Sequence, residues 1–196
     1  MLYKTFIVST LVFSSVNANP NGAPAGYANS SPNFRNCTSC HTGNVNSGNG
    51  QVEFEGLPLY YAPGQMYTIS IVVTGSNSRG YGFQATSNSG NQFAGQFLLS
   101  QNSSQVELNG NYVQQSSRTQ NGNWIFDWLA PDASAGEVVF SASGLATGGS
   151  SGYSGDQVYT TSVSISPQNV SIENNPTPSL YRLYHKRTKF NNRSFK

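Results

Sequence analysis

The sequence predicts an all-β fold, an antiparallel sandwich of about eight short strands. Three observations point there. Only 9% of residues are charged, while Gly, Ser, Asn, Gln and Thr are plentiful and Tyr and Phe common, a mixture that suits strands and turns. No window sustains an apolar period of 3.6, so helix is expected only as a turn around residues 37–41. Period-two alternation recurs instead, with turn signals at intervals of about 8–15 residues.

Strand signals begin near Gln51. The turn Ala62-Pro63-Gly64-Gln65 introduces a strand in which Tyr67, Ile69, Ile71 and Val73 alternate with Thr68, Ser70 and Thr74. Gly75–Gly80 reads as a turn before Tyr81-Gly82-Phe83-Gln84-Ala85. Phe97-Leu98-Leu99 and Tyr112-Val113 are two shorter runs. Trp124, Phe126 and Trp128 share one face of the next strand, opposite Ile125 and Asp127, and Ala130-Pro131 ends it. Glu137–Ala142 and Val158–Ile165 complete the set.

Around this domain, expected over residues 51–167, the chain has three further parts. Residues 1–18 have the layout of a secretory signal peptide: Lys4, the apolar stretch Phe6–Phe13, then Val16-Asn17-Ala18 before a cut. That apolar run falls well short of the roughly 20 residues a bilayer span needs, and no later segment approaches it. The chain is therefore expected to be secreted, periplasmic or at the cell surface, without a transmembrane segment after signal removal. Residues 19–50 are rich in Gly, Asn, Pro and Ser and poor in large apolar groups, so they must lean on the domain or on a cofactor. Residues 168–196 read as a linker, with Asn174-Asn175-Pro176-Thr177-Pro178, and a basic, solvated tail.

Charge is divided unevenly. Arg182, Lys186, Arg187, Lys189, Arg193 and Lys196 lie in the tail without an acid. Between Asn19 and Leu180 only Arg35, Arg79 and Arg118 face all eight acids of the chain. A mildly acidic body has the wrong sign for nucleic acid.

The sharpest chemical signal is Cys37-Thr38-Ser39-Cys40-His41, which contains the only two cysteines. C-x-x-C-H is the attachment signature of c-type haem: each thiol adds across one vinyl group and the adjoining histidine binds the iron. Cys37 and Cys40 would carry the haem and His41 would be its axial ligand. Met66, the only methionine left after signal removal, is a candidate sixth ligand or a core filler. His185, the only other histidine, sits in the tail. A rival reading is a local Cys37–Cys40 disulfide in an oxidising compartment, leaving His41 an ordinary surface residue. A thioredoxin-like role lacks its βαβ setting, and zinc lacks an obvious fourth ligand.

Tyr61-Ala62-Pro63-Gly64-Gln65-Met66-Tyr67, Gly80-Tyr81-Gly82-Phe83-Gln84-Ala85, Gly95-Gln96-Phe97 and Trp124-Ile125-Phe126-Asp127-Trp128-Leu129-Ala130-Pro131 occur in the order of a Reeler (reelin-type) domain, which the stretch from Tyr60 to Ile165 resembles. Gly22-Ala23-Pro24-Ala25-Gly26 followed by C-x-x-C-H is similar to the bacterial choice-of-anchor V group, although no sorting domain or hydrophobic anchor follows. The resemblance implies an immunoglobulin-like sandwich at the cell surface or in the periplasm, and it does not imply an enzyme.

Catalytic machinery is otherwise lacking. The carboxylates are scattered rather than paired, and the domain offers no second histidine to activate a serine. Asp156, in Ser154-Gly155-Asp156-Gln157, reads as a turn-stabilising residue, with calcium binding as an alternative. Two functions remain. One is an exported monohaem c-type protein that passes electrons to a redox partner or presents haem iron. The other is a haem-free Reeler-like adhesion module that meets a cell-surface component, its Cys37 and Cys40 oxidised to each other.

Overall fold

The structure is a computed structural model that describes residues 21–76, 78–148 and 155–168. The expected signal peptide, the basic tail and His185 lie outside the described residues. Eleven strands follow in order: β1 (Gln51–Glu55), β2 (Tyr60–Tyr61), β3 (Met66–Thr74), β4 (Tyr81–Ser89), β5 (Gln92–Phe93), β6 (Gln96–Leu98), β7 (Val106–Asn109), β8 (Tyr112–Gln115), β9 (Asn123–Leu129), β10 (Val138–Ala146) and β11 (Gln157–Pro167). They form an all-β sandwich. One sheet has the order β1-β3-β9-β6, and the other β2-β11-β10-β4-β8-β7, with β5 paired to β4. Pairing is antiparallel except between β2 and β11.

Alternation builds the core. In β9, Trp124, Phe126 and Trp128 are buried while Ile125, Asp127 and Leu129 stay partly exposed. They meet Ile69, Ile71 and Val73 of β3 and, across the sandwich, Phe83, Phe140 and Ala142. Trp128 packs edge-on to Phe140 with ring centroids 4.8 Å apart, a favoured arrangement of aromatic quadrupoles. The two sheets are in tight contact at Gly144, where a Cβ would lie 2.9 Å from Val52 Cβ and Val73 Cγ2. Only glycine lets β10 approach β1 and β3 there.

Three strands go beyond those read from the sequence: β2 and β5, of two residues each, and β7, of four. Met66, expected in a turn, is the first residue of β3 and is exposed. Beyond the 3₁₀ turn at Cys37–Ser39, a second occurs at Ala133–Ala135.

Along β4 the second sheet is buried on both faces. Its outer side presents Gln84, Thr86 and Asn88 from β4, Gln114 from β8, and Ser141 and Ser143 from β10, all at most 5% exposed. Residues 21–50 are laid across this polar face. Burial of such groups requires replacement hydrogen bonds, and the segment supplies them at Gln84 and Ser143. Thr86 donates to the Asn111 carbonyl, while Asn88 Oδ1 has no partner among the described residues.

Candidate functional site

One polar row crosses the outer face of the second sheet. Register places Glu107, Gln114, Gln84, Ser143 and Thr160 side by side on five successive strands. Gln114 donates to Glu107 Oε1 (2.7 Å), and Gln84 donates to Gln114 Oε1 (2.7 Å). The same Gln84 amide donates to the Pro24 carbonyl (2.9 Å) and accepts from Tyr27 N–H (2.6 Å). At the sheet's far side, Asn46 imitates a strand on the edge of β11. Its N–H donates to the Val158 carbonyl (2.8 Å), and its Oδ1 accepts Thr160 N–H (2.9 Å).

Ser143, in the middle of the row, receives the C-x-x-C-H turn. Cys37 N–H donates to Ser143 Oγ (3.1 Å), and that hydroxyl donates to Cys37 Sγ (3.1 Å). Asn36 caps the turn, its Oδ1 accepting Thr38 N–H (2.9 Å) and Thr38 Oγ1–H (2.7 Å). Cys40 N–H and His41 N–H both donate to the Cys37 carbonyl, at 3.2 Å and 2.9 Å, so the three functional side chains share one tight turn. Both cysteines are free, Cys40 exposed and Cys37 partly covered. Burial pushes the Cys37 thiol up to about 11, against a smaller downward pull from the Ser143 hydroxyl. At neutral pH it is a thiol, not a thiolate.

His41 makes the decisive contact. Its Nδ1 lies 2.6 Å from Oδ2 of Asp156, whose side chain is 3% exposed. The other oxygen, Oδ1, accepts Gly148 N–H at 2.9 Å. A carboxylate buried this deeply requires donors at both oxygens, which puts an imidazole proton on Nδ1. The turn is thereby fastened to the sandwich at two points, Ser143 on β10 and Asp156 just before β11.

Cys37, Cys40 and His41 are thus together, while Met66 is elsewhere. Gly75, just past the end of β3, lies against Ala146, Gln157 and Tyr159, beside Asp156. Met66 begins β3 at the opposite end, beside Leu129, some 26 Å along the strand at about 3.3 Å per residue. The structure does not bring it to His41. Among the described residues no three His, Cys, Asp or Glu side chains converge as a metal-ion site. Asp156 and Ser143 are the site residues that sequence reasoning missed. Asp156 carried a turn signal with calcium binding as its alternative, and Ser143 lies one residue past the strand expected at Glu137–Ala142.

The sequence model of the Reeler domain matches residues 28–147, starting within the N-terminal layer and running to the end of β10. Among solved structures, the reelin-N domain of F-spondin superposes with a TM-score of 0.50 at 20% identity, covering 67% of this chain and 95% of that one. The human F-spondin reeler domain gives 0.49 at 20% identity, over 66% and 96% of the two chains. No curated protein matches the chain.

Proposed function

The chain belongs to the Reeler domain family, and from that premise we propose that it works outside the cytoplasm as an adhesion or recognition module rather than as an enzyme. The supporting observation is the unequal treatment of the two outer faces. The seven-stranded sheet is covered by the chain's own N-terminal segment, whereas no segment among the described residues covers the outer side of the four-stranded sheet. There Val72, Ile125 and Leu98 are half-exposed among Glu53, Glu55 and Asp127, an apolar strip in an acidic rim. Such a face suits a cationic, partly apolar surface component. The test is binding of the labelled mature protein to the envelope of the cells that export it. Glu53→Lys with Asp127→Lys should lower binding at least about tenfold without changing the melting temperature. Unchanged binding would remove this face from the reading.

A second reading is favoured by the His41–Asp156 pair beside two free thiols. Cys37, Cys40 and His41 fit covalent c-type haem. Cys40 is exposed, Cys37 would have to leave Ser143 to reach a vinyl group, and His41 would be the iron ligand. Haem bound there would supply a one-electron couple for a redox partner. Intact mass and visible absorption of protein from a host that matures c-type cytochromes separate the two readings. A red protein heavier by about one haem establishes the second. A colourless one, lighter than its reduced mass by two hydrogens, shows a Cys37–Cys40 disulfide and leaves the first.

A further inference from the structure

Resting on that second reading, we infer that Asp156 is a positioning residue for the iron ligand: it holds the His41 ring by Nδ1 and makes Nε2 a stronger donor, biasing the haem toward the ferric state. The argument starts from burial. With a side chain 3% exposed, Asp156 is held between two donors, His41 Nδ1–H at 2.6 Å and Gly148 N–H at 2.9 Å. A short charge-assisted bond at one ring nitrogen places negative charge behind the other, which raises ligand basicity and favours the higher oxidation state of a bound metal. The pair also joins residues 115 positions apart, so the ring's orientation is set by the sandwich rather than by the turn. Loss of the carboxylate would remove this fastening and keep the one at Ser143.

The experiment compares wild type, Asp156→Asn and Asp156→Glu, each produced with cytochrome c maturation. Intact mass first reports haem attachment, and a haem-free wild type overturns the underlying reading and this inference with it. With haem attached, Asp156→Asn should shift the ferric-to-ferrous equilibrium at fixed potential about tenfold toward ferrous, a rise of about 59 mV for one electron. The iron–histidine stretch of the ferrous protein should fall in frequency. Asp156→Glu, which keeps the charge and gives a second chance at a folded protein, should recover part of both shifts. Haem attached in all three with unchanged potential and stretch would overturn the inference, since a merely structural aspartate moves melting temperature but not these signals.

Discussion

The two faces of the seven-stranded sheet are buried by different physics. Inside, Phe83, Phe140 and Ala142 meet Trp124, Phe126 and Trp128, and the contact is held by apolar area that tolerates small displacements. Outside, Gln84, Gln114 and Ser143 meet a segment that contributes only Ala28 to the buried apolar set. That layer is held by directional hydrogen bonds, each of which must be satisfied. The Cys37–His41 turn belongs to the second kind of layer. Its geometry is specified one bond at a time, and it can loosen while the core stays intact.

Substitutions can break or sharpen this contrast. The largest effect is expected from Trp128→Ala, which removes a fully buried ring in contact with Tyr61 and Phe140 and a donor to Ser87 Oγ. It should cost about 3–5 kcal/mol and lower the melting of core and segment together, because the segment has no platform without the sheet. Segment amides that kept their hydrogen-exchange protection in this variant would break the contrast. Gln84→Ala should cost about 2–3 kcal/mol by stranding Tyr27 N–H, the Pro24 carbonyl and Gln114 Oε1. Here exchange should accelerate at Tyr27 while the amides of β9 remain protected; equal acceleration in both would show one cooperative layer instead of two.

The smallest effect is one of pH. The Cys37 thiol sits near 11 when folded against an ordinary 9.0, so the folded chain keeps its proton where the unfolded chain has lost it. This contribution is complete below pH 9 and lost as pH rises through about 11. Burial of Tyr61 acts in the same direction, so denaturant midpoints of wild type and Cys37→Ser should be compared across that range. The wild type should lose more stability between them; parallel curves would mean the sulfur is not held in the layer.

Legibility in the sequence followed period and chemistry. Strands of seven residues or more were visible, because Ile69, Ile71 and Val73, or Trp124, Phe126 and Trp128, repeat often enough to reveal a buried face. The C-x-x-C-H turn was visible because its chemistry depends on neighbours in sequence. Gln84, Thr86 and Asn88 alternate with Phe83 and Ala85 just as regularly, yet their polar face is buried rather than solvated. Nothing local distinguishes a polar face against water from one against another polar layer.

The all-β architecture, the inward faces of the long strands and the C-x-x-C-H spacing were legible from local sequence. Each depends on residues a few positions apart. Only the tertiary structure decided that residues 21–50 cover the second sheet, that Ser143 receives Cys37 and that Asp156 receives His41. It also decided that Met66 stands at the far end of β3. Those pairings span up to 115 positions, and a carboxylate finds its imidazole only when the register of β10 and β11 has brought the two chain segments together.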